Sequence, residues 1–148
     1  MGKKGIVALP LMLLISGIVL EMTIAATLVI FYLLQGSAGT RNAAEALSTA
    51  QSGVNDALTQ LVRNLNFSTT YTISLDAQHV ARIWVCNQGH KTAGCDIAGS
   101  CTTLTDPGKV EVTSLGTVRG RNKCIRAVYD IDTTNGQIKL ESSGEIAL

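Results

Sequence analysis

The chain reads as an α+β protein in which a long N-terminal helix, membrane-spanning in its first half and amphipathic in its second, packs against a small antiparallel β-sheet with disulfides. Three observations predict this. Residues 6–34 are apolar except for Ser16, Glu21, Thr23, Thr27 and the hydroxyl of Tyr32. Apolar residues then recur at steps of three and four as far as Leu65. After Ser68 the period falls to two. Composition bounds the rest. With 148 residues, a net charge of +1, 16% charged and 46% hydrophobic residues, the chain is too apolar for disorder and too neutral for a dedicated nucleic-acid binder. The roughly 110 residues after position 34 make one domain with a modest core, which excludes a large multi-domain enzyme.

At about 1.5 Å per helical residue, residues 6–34 exceed a hydrocarbon core of ~30 Å. A cleaved secretory signal also begins with a basic start such as Lys3-Lys4, but its apolar core is usually about 7–15 residues. Here the run continues through Leu33 and Leu34, which favours an uncleaved span. Lys3 and Lys4 precede it and no basic residue follows until Arg41, so the N-terminus is expected in the cytoplasm and everything after Gln35 outside.

Small residues from Gly36 to Gly39 would weaken or bend a helix there. Beyond them Ala43, Leu47, Ala50, Val54, Ala57, Leu61 and Leu65 mark one face, with Arg41, Glu45, Gln51, Asp56, Gln60 and Arg63 mostly elsewhere. No proline lies between Leu11 and Asp106, so span and amphipathic segment are expected to form one helix over about residues 6–64. Its alanine content, with Gly53 alongside, suits close approach to the domain that follows. The resulting division is a basic leader at 1–5, a span at 6–35, an amphipathic continuation at 36–66 and an extracytoplasmic β domain at 67–148.

Tyr71, Ile73 and Leu75 alternate with polar residues, as do Ile125, Ala127, Tyr129 and Ile131 with their neighbours. Residues 80–86, 109–118 and 137–148 are further strands, giving a sheet of four or five. The breaks are 76–78, the long loop 87–108, 119–122 and 133–136. Asn135-Gly136 predicts a tight hairpin turn, because both residues tolerate positive φ. His79 reads as a polar residue at a strand start.

Cys86, Cys95, Cys101 and Cys124 all lie in the part placed outside, where an even count points to two disulfides with three possible pairings. The rival is a metal site built on Cys86, His90, Cys95 and Cys101. The absence of any CxxC pair and the oxidising compartment favour disulfides, so neither metal nor cofactor is expected. In a plain meander Cys86 and Cys124 would end at opposite ends of their strands, too far apart for the bridged Cα spacing of about 4.4–6.8 Å. That leaves two pairings which the sequence does not separate; the long loop could fold back to join Cys101 to Cys124 while Cys95 returns to Cys86, and so pinned it would be a partner-facing surface.

The leader Lys3-Lys4-Gly5, an apolar helix holding the lone Glu21, the continuation Ala44-Glu45-Ala46 and Ala50-Gln51-Ser52-Gly53-Val54, and a β domain with cysteines together resemble a type IV pilin. The similarity is closest to the minor-pilin branch. Specific matches fall between about residues 3 and 62, whereas the general layout extends over the whole chain. In that family a peptidase cuts after a glycine, and the fifth mature residue is usually glutamate. Cutting after Gly5 makes Ile6 the first residue and puts Pro10 fifth; cutting after Gly17 puts Glu21 fourth behind a hydrophobic leader. A hydrophilic leader favours Gly5. The resemblance implies a prepilin peptidase as processing partner, methylation of the new terminus, storage in the cytoplasmic membrane and co-assembly with other pilin subunits into an extracellular filament.

A carboxylate in hydrocarbon is costly unless neutralised or paired, so Glu21 is expected to meet a neighbouring subunit's amine or hydroxyl, or else to bond to Thr23 or Thr27. Pro10 near the helix start gives up little. No Ser-His-Asp arrangement, phosphate loop or paired carboxylates stand out, so no enzymatic activity is expected. Arg119, Arg121, Lys123 and Arg126 form a basic run that reads either as a solvated hairpin or as a contact for DNA phosphate or another surface ligand. Asn66-Phe67-Ser68 matches a glycosylation sequon. The remaining alternative to a filament subunit is a single-span anchor whose β domain binds a partner without forming filaments.

Overall fold

The structure is a computed structural model that describes residues 8–91, 95, 99–103, 108–132 and 134–147. It divides into two compact units, residues 1–40 and 41–148. One helix, α1 (Ala8–Arg63), contributes to both. The helical hydrogen-bond pattern continues through Gly36 and Gly39, because two glycines at about 1 kcal/mol each are outweighed by the strong helix formers around them. In the first unit Pro10 falls in the first described turn, where a missing N–H removes no helical bond. Every residue from 10 to 38 is exposed.

The second unit adds β1 (Thr70–Ser74), β2 (His79–Asn87), β3 (Gly89–Lys91), β4 (Cys101–Thr103), β5 (Lys109–Val118), β6 (Arg121–Ile131) and β7 (Ile138–Ile146). Five of these form an antiparallel sheet in the order β1-β2-β5-β6-β7, and β3 and β4 make a separate hairpin. The long loop read from the sequence thus contains two short strands. They are too brief and too polar to carry a period-two signal.

Alternation splits the sheet into two faces. Ile83, Val85, Val110, Val112, Ile125, Ala127, Tyr129 and Ile131 point toward Ala50, Val54, Ala57 and Leu61 of α1. The helix sits low because two glycines let it. A Cβ on Gly116 would lie 2.1 Å from the Ala46 carbonyl oxygen, and one on Gly53 would lie 2.3 Å from the Ser114 hydroxyl. The buried stripe is accordingly displaced from the expected one. Ala46, Thr49 and Gly53 are buried with Ala50 and Ala57, whereas Ala43, Leu47 and Leu65 are only half-buried. Thr49 tolerates burial because its hydroxyl donates to the Glu45 carbonyl at 2.8 Å. Residue size, and not hydrophobicity alone, selects the contact face.

Two turns differ from expectation. Val118 pairs with Arg121 across a two-residue loop in which Arg119 (φ 47) and Gly120 (φ 76) are both left-handed, so the tight hairpin lies here. At Asn135-Gly136 only Gly136 has positive φ (72); Asn135 instead accepts the Gln137 amide with its side chain at 2.9 Å. Local side-chain bonding has replaced the two-residue turn with a longer connection.

The cysteines form Cys86–Cys101 and Cys95–Cys124, with Cα separations of 5.4 and 6.2 Å. This corrects the folded-back pairing of Cys86 with Cys95 and Cys101 with Cys124. The reason is the β3–β4 hairpin: its register sets Lys91 opposite Cys101 and returns the chain beside Cys86, leaving Cys95 to cross to Cys124. Cys86 and Cys124 are not joined directly, consistent with the meander.

Candidate functional site

The apolar half of α1 is the first candidate surface. Met12 (75% exposed), Met22 (69%) and Leu34 (65%) typify a segment whose large side chains have no protein cover. Its hydroxyls are satisfied within the helix: Ser16 donates to the Leu13 carbonyl at 2.9 Å, Thr23 to Val19 at 2.7 Å and Thr27 to Thr23 at 2.8 Å. The hydroxyl protons of Thr23 and Thr27 are thereby committed to backbone carbonyls rather than to Glu21, which is exposed. Helices longer than 18 residues with this hydropathy (2.3) can cross a membrane by length and composition, and α1 is the one such helix among the described residues. Gly5 and Ile6 lie outside the described residues.

The second candidate lies on the sheet face away from α1, where Trp84, Cys95, Leu115 and Cys124 cluster. Lys91 stacks its ammonium 4.0 Å from the Trp84 ring centre. Beside it runs a cleft of about 290 Å³ lined by Gly89, His90, Lys109, Glu111, Arg126, Val128 and Ser142. Glu111, with a side chain only 6% exposed, is held by the Lys91 amide at 3.0 Å, by the Thr113 hydroxyl at 3.4 Å and by the Arg126 guanidinium. A buried carboxylate is tolerated on these terms. Sequence reasoning passed over Glu111, although Lys109, Glu111, Thr113 and Thr117 form a polar alternation on one side of β5 that distinguishes this face.

The three thiols that the metal alternative would draw on, Cys86, Cys95 and Cys101, are all in disulfides, and no group of three or more His, Cys, Asp or Glu that could hold a metal occurs among the described residues. The basic run is dispersed by strand parity. Arg119 and Arg121 stand exposed at the β5–β6 turn, while Lys123 pairs with Glu145 and Arg126 with Glu111 from opposite sides of the sheet.

A third cluster surrounds His79 at the start of β2. Its Nδ1 contacts Asp76 at 2.8 Å and its Nε2 lies 3.6 Å from Glu45, which accepts from Arg41 at 2.9 Å. The Asp76 carboxyl is held below its ordinary range by the Gln78 amide first, then by the His79 ring and amide. The bond from Arg41 does the same for Glu45. On the helix side Tyr71 donates to Asp56 at 2.7 Å, and burial, then this bond, pushes its phenol well above the usual value.

No protein-family model matches the chain, and no curated protein or solved structure matches it.

Proposed function

We propose that this chain is a structural subunit of a type IV pilus-like or pseudopilus filament, held in the cytoplasmic membrane by the apolar half of α1 before assembly. One observation carries the reading: a continuous helix is apolar and uncovered over residues 10–34, yet tailored with glycine and alanine for a single partner sheet over residues 46–57. An ordinary anchor needs no such continuity between its span and its folded domain. In a bundle of such helices the apolar surface would find cover, and Glu21 would find a neighbour's amine or hydroxyl. Ser16-Gly17 and Ala25-Ala26 would allow close helix approach in that bundle.

The test is to shear surface filaments from cells and weigh the subunit. A mass lacking residues 1–5 is expected, with Glu21→Ala retained in membranes but depleted from filaments. An intact precursor confined to membranes would support the second reading, a single-span anchored binding protein, for which the Glu111–Arg126 cleft offers a recess.

A further inference from the structure

The end of the second unit that begins with Arg41 joins two hairpin tips and the start of the packed helix. The β1–β2 turn carries Leu75 and Ala77, and the β5–β6 turn carries Arg119 and Arg121. The tips are neighbours because His79 pairs with Val118, and Arg119 Nε donates to the Gln78 side-chain oxygen at 2.7 Å. Its two acids are solvent-accessible, with side chains 57% exposed at Asp76 and 31% at Glu45, but both are engaged by neighbours. Asp76 accepts the amides of Gln78 and His79 at 2.7 and 2.8 Å and contacts the His79 ring; Glu45 is engaged by Arg41 and lies near His79 Nε2. Three arginines outnumber these two carboxylates at the surface: Arg41 is 81% exposed, Arg119 and Arg121 are exposed at the turn, and Leu75 beside them is 57% exposed. Arg119 also occupies a left-handed position that residues with a Cβ seldom adopt, so the turn displays an arginine where asparagine or glycine would be easier.

We infer that this end is a docking surface for the anionic phosphate headgroups of the bilayer in which α1 is anchored, with Leu75 entering the interface. The inference rests on the proposed span. Arg41 follows Leu34 by seven residues, so covalent reach alone keeps Arg41 within about 10–25 Å of the end of the apolar run. Arginines flanking an exposed leucine match a headgroup layer in both charge and polarity. Bilayer contact would hold the β domain down before assembly, and extraction into a filament would have to break it.

The experiment uses the full chain in nanodiscs, with Ala77→Cys carrying a dye that headgroup-labelled lipid quenches. Strong quenching is expected in phosphatidylglycerol-containing discs, falling toward the level of pure phosphatidylcholine discs when salt is raised. Arg121→Gln, outside the left-handed turn positions, should lower the docked-to-undocked ratio about fivefold, and Arg41→Gln by a similar factor. Co-elution of chain and disc reports the span independently. A chain that co-elutes but is quenched equally in both lipids, with or without Arg121, overturns the docking surface and leaves the span standing. A chain that does not co-elute overturns both.

Discussion

Residues 10–34 and residues 41–63 belong to one helix and satisfy their apolar content in opposite ways. The first stretch has large side chains on all sides and buries none of them. The second has mostly small ones and buries a stripe of them against a sheet that is equally small at the contact, at Ala81, Ser114 and Gly116. Large and uncovered on every side means that stability must come from surroundings the chain does not supply. Small and one-sided means that the partner is already present. The difference separates the part of the helix left uncovered, which the proposed filament would use, from the part that holds the chain's own fold.

Four perturbations sharpen or break that contrast. Placing Leu20→Asp and Ile24→Asp in the uncovered half should have the largest effect, since each buried acid costs about 2.5–3.5 kcal/mol at a span centre. The doubly substituted chain should lose carbonate-resistant membrane association while its disulfides remain intact; full retention would mean that residues 10–34 do not enter hydrocarbon. Next comes the β domain's own closure. Replacing Cys95 and Cys124 with serine opens a 29-residue separation and should lower stability by about 3–4 kcal/mol, read from denaturant midpoints. Non-reduced peptide mapping should find Cys95 linked to Cys124 in the unsubstituted chain.

Gly116→Ala should cost about 2–3 kcal/mol, because the new methyl meets backbone atoms of α1 that cannot step aside. Gly53→Ala should cost less, about 1–2 kcal/mol, since the nearest obstacle is the Ser114 hydroxyl. Equal effects at the two glycines would place the helix higher above the sheet than described here. The smallest effect is alkaline. Tyr71 keeps its proton more firmly when folded, so its contribution is complete below about pH 10, its unfolded value, and is lost as pH rises beyond it. Tyr71→Phe should weaken the domain at neutral pH by about 1 kcal/mol and flatten the decline above pH 10.

Much of this architecture was legible because its signals are periodic. The strand expected at 109–118 coincides with β5, and the single helix expected over about residues 6–64 coincides with α1 from residue 8 onward. What escaped depends on contacts between distant residues. The helix face was displaced because hydrophobic periodicity weighs Leu47 above Ala46, while the fit against Gly116 rewards the smaller residue. The disulfide pairing escaped because β3 and β4 are three residues each, and their register alone decides whether Cys101 or Cys95 returns to Cys86. Glu111 looked like an ordinary polar strand residue. Its burial follows from the Lys91 amide and Arg126, which lie 20 and 15 residues away in the chain.

The measurement that bears most directly on the division of the helix is photo-crosslinking from a benzoylphenylalanine at position 28 in sheared filaments and in membranes. Leu28 is half-exposed among large apolar neighbours and has no role in the packed domain. Subunit-to-subunit crosslinks are expected from this position in filaments, and lipid adducts in membranes. Lipid adducts alone in every fraction, or a chain absent from filaments altogether, would contradict that division.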